Sequence, residues 1–209
     1  MAVEKSRFFN YNEAEENEYQ ADDFAEYFRT YFADGVCSLE TNLQVSANGT
    51  GMIVSVGYGA ASIQGYGYWL KDNSTGVKTL PISAANSSNP RIDRIVARLD
   101  KSASGQAITL AVLSGTPAAS PSAPALTRAD NIYEISLAQV YVGAGVLNIA
   151  ADKITDERSN NSVCGLCEPA AVRNYINQGL KTTDSPTFAA VAVTGTLEAQ
   201  KVIGAVYQE

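Results

Sequence analysis

Histidine is absent from this 209-residue chain. That removes Ser-His-Asp and Cys-His nucleophile systems, imidazole acid–base work and histidine-ligated zinc. Cysteine is scarce, with only Cys37, Cys164 and Cys167. The first two dozen residues show no apolar stretch after their basic positions, so a secretory leader is not expected. An odd cysteine count in such a chain points to reduced thiols rather than a disulfide framework. No run of about 18 apolar residues occurs, so membrane insertion is not expected. Cations are outnumbered, 15 Lys and Arg against 22 Asp and Glu, for a net charge of −7. A phosphate backbone recruits Lys and Arg, so nucleic acid is not an expected partner.

What is present belongs to a chain that folds. Hydrophobic residues make up 45% and charged residues 18%, enough to bury a core in one large domain with a small appendage. Phe24, Tyr27, Phe28, Tyr31 and Phe32 recur at helical spacing in ADDFAEYFRTYFADG. Asp22 or Asp23 is the expected N-cap and Gly35 the expected stop. Five aromatics on one short helix require something to dock on. Phe8 and Phe9 add apolar anchoring area ahead of it.

From about residue 43 to 158 the pattern becomes one of short β-branched or alternating runs. These are MIVSV, ASIQGYGYWL, KTLPIS, RIDRIVARLD, AITLAVL, YEISLAQVYV and VLNIA, separated by Asn, Gly, Ser and Pro turns. About seven strands at this spacing, without alternating helices, predict an antiparallel sandwich or barrel. The stretch 114–128, with Pro117, Pro121 and Pro124, reads as a long extended connection. After Arg158, SNNSVCGLCEP leads to a second short helix with Pro169 in its first turn and Val172, Tyr175 and Ile176 on one face. The final 30 or so residues carry one strong β run, Phe188 to Val193, with Val191 inside it. A segment that short buries no core of its own and must pack on another chain or on the main domain. The expected division is therefore an arm and helix over 1–40, a β domain over 41–160, a connector over 161–180 and an oligomerisation segment over 181–209.

Chemistry-bearing motifs are few. Gly57-Tyr-Gly59 lacks the third glycine and following helix of a dinucleotide loop, and reads as a glycine-relieved hairpin. Cys164-Gly-Leu-Cys167 has redox or zinc spacing. It lacks a thioredoxin-like βαβ setting, and zinc would need two more ligands, so small buried thiols at a helix entrance are the simpler reading. The acidic run from Glu13 to Glu26 lacks the alternating ligands and glycine of a calcium loop. No catalytic residue, cofactor or metal is expected.

RIDRIVARLD, residues 91–100, is the densest charged stretch among the strands. In strand geometry Ile95, Ala97 and Leu99 share one face; Arg94, Val96, Arg98 and Asp100 share the other. The expectation is that Arg94 or Arg98 pairs with Asp156 or Glu157 of ITDER, or with Asp93 or Asp100, and that Arg158 belongs to the same electrostatics. Such pairs more often fix register than stabilise strongly. A glycan depolymerase using two of Asp93, Asp100, Asp156 and Glu157 is an alternative, although nothing in the sequence sets them at a useful separation. A carbohydrate-binding module is another, since Tyr58, Tyr66, Tyr68 and Trp69 are enough aromatics for a stacking platform.

FFN near the start, DDFAEYF, LQVSANGTGMIVSVGYGAASIQGYGYW, NPRIDRIVARLD, GTPAASPSAPALTR, YEISLAQVYVGAG, ITDER and CGLC together resemble a family of tailed-bacteriophage structural proteins. These form the N-terminal region of baseplate, tail-fibre or receptor-binding proteins of phages of Gram-positive hosts. The tail, SPTFAAVAVTGTL, is similar to segments of phage fibre shafts that lead into trimeric β structure. The resemblance implies a virion protein of the tail or baseplate, made in the host cytoplasm. Its β domain would dock on other tail or baseplate proteins. Its C-terminal side would begin a homotrimeric fibre, the chain being either a short adaptor for a further fibre protein or one piece of a longer fibre, with host-surface glycan contacted directly or indirectly. Phe8, Phe9, Phe24, Tyr27, Phe28, Tyr31, Phe188, Val191 and Val193 are the interface candidates, and the resemblance carries no catalytic residue.

Overall fold

The computed structural model describes residues 19–71, 77–102 and 105–169. The second short helix, the Phe188 to Val193 run, and the interface candidates Phe8, Phe9, Phe188, Val191 and Val193 lie outside these residues. Over these residues the protein is mainly β, built from antiparallel sheets and one α-helix. Among the described residues no helix is long and apolar enough to cross a membrane.

The helix, α1, spans Ala21–Tyr31. Its N-cap is Gln20 rather than Asp22 or Asp23. Asp23 sits one turn in and accepts the Gln20 N–H at 2.9 Å, so its carboxylate acts from the first turn instead. Gly35 does not stop the helix. The chain turns extended at Phe32, and Gly35 enters the first strand.

Among the described residues ten strands follow: β1 (Gly35–Val36), β2 (Val45–Ser46), β3 (Ile53–Gly57), β4 (Gly59–Ile63), β5 (Tyr66–Leu70), β6 (Val77–Pro81), β7 (Arg91–Asp100), β8 (Ala107–Leu113), β9 (Ile132–Val142) and β10 (Ile154–Asp156). They form three antiparallel sheets, ordered β1-β4-β5, β2-β3-β6 and β10-β9-β7-β8. Two expected runs behave differently. ASIQGYGYWL is a hairpin, β4 and β5, because Gln64 and Gly65 both adopt positive φ (53° and 81°), as a type I′ turn requires. VLNIA forms no strand; Ile149 is buried as a loop residue instead. The Gly57–Gly59 stretch is not a hairpin either. β3 and β4 pair in different sheets, so Tyr58 marks a corner where the chain changes sheet.

One apolar cluster joins the inner faces of all three sheets. Val36, Leu43, Val54, Val56, Ile63, Ile95, Ile135, Leu137, Val140 and Ile149 are among its fully buried members. Each such side chain contributes roughly 1.5–3 kcal/mol of burial. β7 and β9 form the longest ladder, with a bulge where Ile95 faces Ala138 but Val96 faces Ser136. The unpaired Leu137 stays buried, and its carbonyl accepts the Glu157 N–H at 3.0 Å. Ile95, Ala97 and Leu99 do line the core.

Candidate interaction surface and buried ion pairs

The outer face of β7 and β9 carries Arg94, Val96 and Arg98 opposite Gln139, Ser136 and Glu134. Arg94 meets Glu157 at 3.1 Å, and the same carboxylate accepts from Ser136 Oγ at 2.5 Å and Gln139 Nε2 at 2.6 Å. Arg98 meets Glu134 at 2.6 Å, directly across the ladder. Arg91 and Asp93 pair at 2.8 Å near the start of β7. Arg158 clasps Asp156 through Nε and Nη2, and its Nη1 donates to the carbonyls of Glu40 and Asn42. That clasp holds the Asp156 carboxyl below its ordinary range. Asp100 is bonded locally by Ser102, which lowers its carboxyl in the same way.

The second partners of these ions explain their position. Arg94 Nη1 donates to the Pro124 carbonyl at 2.6 Å. Glu134 accepts the Thr127 N–H at 2.7 Å, and Asp93 accepts the Gly115 N–H at 2.8 Å. Arg91 holds the carbonyls of Ser83 and Ala84. Three of the charged groups therefore bind the backbone of segment 114–128 and lash it across the sheet. Prolines suit that segment, because they favour an extended chain and bring no N–H that needs a partner. The paired expectations for Arg94 and Glu157 meet in the structure. Arg98 finds Glu134, and Asp93 finds Arg91, neither of which the sequence reading singled out. Glu134 was legible in principle as the one carboxylate inside the YEISLAQVYV alternation. Each of the four carboxylates weighed for glycan hydrolysis has a partner of its own: Arg91 for Asp93, the Ser102 N–H for Asp100, Arg158 for Asp156 and Arg94 for Glu157.

The helix presents the opposite kind of surface. It is fastened through small residues and short polar ties. A Cβ on Gly65 would meet the Ala25 carbonyl at 2.0 Å, so only glycine lets the β4–β5 turn come this close. Asp34 accepts from the backbone and side chain of Gln64 at 2.6 and 2.7 Å. The Tyr66 hydroxyl donates to Asp22; burial, then this bond, pushes the phenol up to about 12. Among the helix residues only Ala25 is buried. Phe24, Phe28, Tyr31 and Phe32 keep 42%, 44%, 53% and 40% of their surface exposed. Tyr27 is half-buried and packs against Phe28 and Tyr31, with ring centroids at 5.9 and 5.0 Å. Phe32 bridges to Pro169, so the end of the described chain runs beside this aromatic face.

A cleft of about 890 Å³ opens beside the helix start, lined in part by Asp22, Asp23, Tyr66, Asp100 and Lys101. Of the proposed aromatic platform, Tyr66 and Tyr68 pack against the core, whereas Trp69 is 66% exposed. Its indole lies over Gly67, where a Cβ would come within 2.3 Å of the ring. Among the described residues no group of three or more His, Cys, Asp or Glu is placed to hold a metal ion. Comparison with protein-family models, with curated proteins and with solved structures gives no match.

Proposed function

We propose that this chain is a structural attachment protein of a tailed-bacteriophage tail or baseplate, assembled as a homotrimer. In this reading the β body is a sandwich-like docking domain, and residues 181–209 begin a fibre. The carrying observation is the helix that is firmly tied yet, with the Phe32 that follows it, leaves four large aromatic rings exposed. A contiguous apolar surface of this kind suits a protein–protein contact. The order and spacing of the phage-like motifs supply the biology, and other tail proteins supply the docking partners. Native mass spectrometry or light scattering tests the assembly. A mass near three times the 22.1 kDa chain is expected. A folded monomer at micromolar concentration would overturn it.

Trp69 favours a second reading, direct recognition of host-wall glycan. A flat, exposed indole on the edge strand β5 is a stacking surface for a sugar ring. Wall-polysaccharide binding that disappears in Trp69→Ala, with thermal stability unchanged, is the expected result for it.

A further inference from the structure

Asn48-Gly49 is the sole Asn-Gly pair in the chain, and it lies in the turn between β2 and β3. Glycine lets the backbone take a φ of +77° there, and a Cβ at that position would meet nothing within 4 Å. Asn48 and Thr50 are exposed. Oδ1 of Asn48 accepts the Thr50 N–H at 3.0 Å and the Thr50 hydroxyl at 2.6 Å. A backbone N–H can only donate, so it fixes the oxygen end of the amide toward Thr50. Among the described residues nothing bonds Nδ2 of Asn48 or the Gly49 N–H. The chain is anchored just beyond, where Gly51 O accepts the Ile149 N–H at 3.0 Å and Met52 O accepts the Ile82 N–H at 2.8 Å. The turn therefore holds an amide carbonyl between two donors, beside an unengaged nitrogen with no side chain in the way. Two other asparagines each lack part of this. Oδ1 of Asn86 also accepts two N–H groups, from Ser88 and Asn89 at 2.9 Å, but Ser87 follows it. Asn42 is tied at both ends of its amide to Ala60, and Leu43 follows it.

We infer that Asn48 is a self-modification site, at which the turn promotes cyclisation onto Gly49 and conversion of the amide to aspartate and isoaspartate. The Gly49 nitrogen gives its proton to hydroxide and attacks Cγ of Asn48, forming an N–Cγ bond. The negative charge that develops on Oδ1 is met by the Thr50 N–H and hydroxyl, two donors already in place. The Cγ–Nδ2 bond then breaks. Ammonia leaves with a proton taken from water, which restores the hydroxide, and a five-membered succinimide remains. Water adds to one of its two carbonyls. Opening on the side-chain side gives aspartate. Opening on the main-chain side gives isoaspartate, with the chain routed through the former side-chain carbonyl. Nothing is oxidised or reduced; a neutral amide is exchanged for a carboxylate. The inference is independent of the attachment reading, because it rests on this turn alone.

The test is peptide mapping by mass spectrometry on the full folded chain held in mildly alkaline buffer, with aspartyl and isoaspartyl peptides separated by chromatography. Asn48 is expected to convert well ahead of Asn42 and Asn86, with ammonia released in step and a rate that rises with pH. Thr50→Val keeps the shape of the side chain and the backbone N–H but has no hydroxyl. It slows the conversion by about five- to tenfold, the worth of one hydrogen bond. Thr50→Ser returns the rate to that of the wild type. An unchanged unfolding midpoint in Thr50→Val assigns the slowing to the chemistry rather than to the fold. An Asn48 that persists as long as Asn42 or Asn86 would overturn the inference, as would a Thr50→Val chain that converts as fast as the wild type.

Discussion

Glu134 and Arg98 are partners in unequal surroundings, and this decides which of them is harder to replace. Glu134 is fully buried, while the Arg98 side chain keeps 36% of its surface exposed. Without Arg98, the carboxylate stays buried, held by the Thr127 N–H but with no counter-charge. Without Glu134, the guanidinium can turn toward water. Breaking a buried pair typically costs about 3–5 kcal/mol when the surviving charge is trapped. Arg98→Met is therefore expected to cost about 3 kcal/mol, at the low end because Thr127 still helps. Glu134→Gln keeps a polar acceptor and is expected to cost about 1 kcal/mol. Urea unfolding of both single variants and the double variant checks this. Equal losses for the two single variants would show that burial does not set the hierarchy.

At the scale of elements, periodicity carried most of the reading and tertiary pairing carried the rest. The aromatic spacing located α1, and alternation located the long strands, because both periods follow from backbone geometry. The dense charge of RIDRIVARLD signalled a tied face, but not what it ties. Pro124 lies 30 residues from Arg94, a separation no local pattern encodes. The Gly35 stop failed for a similar reason: that glycine answers to Gly165, 130 positions away. The docking of α1 was equally illegible, because it runs through Ala25 and Gly65 rather than through the aromatic stripe. The tie at its start has a measurable signature. Tyr66 has its phenol raised from 10.0 to about 12, by burial first and by Asp22 second. A raised folded-state value means that the neutral hydroxyl is favoured. Its contribution is complete below pH 10 and is lost as pH rises through about 12. The wild type should lose stability over that window more steeply than Tyr66→Phe, which has no proton to lose there. The pH dependence of the unfolding midpoint of both proteins measures it, and parallel curves would remove Tyr66 from the account.

For the molecule as a whole, the balance between core and surface separates folding from assembly. The core is complete without the aromatic stripe: its fully buried members come from the strands and loops, and α1 adds only Ala25 to the buried apolar residues. Phe28 and Phe32 are then expected to be surplus to folding, and Phe32 bridges to Pro169. Replacing both by serine removes exposed apolar area with little loss of packing, so the unfolding midpoint should move by less than about 1 kcal/mol per site. If the chain assembles as proposed and the stripe is where copies meet, the wild type should have the mass of a trimer and the same double variant that of a single chain. Ala25→Leu is the complementary change. It adds volume beside the Gly65 approach, so it should destabilise each protomer through overpacking, by about 1–3 kcal/mol. Light scattering and thermal unfolding on the same samples separate the two effects. A Phe28→Ser/Phe32→Ser protein that unfolds early would place the stripe in the fold. One that stays both stable and trimeric would place the subunit contact elsewhere.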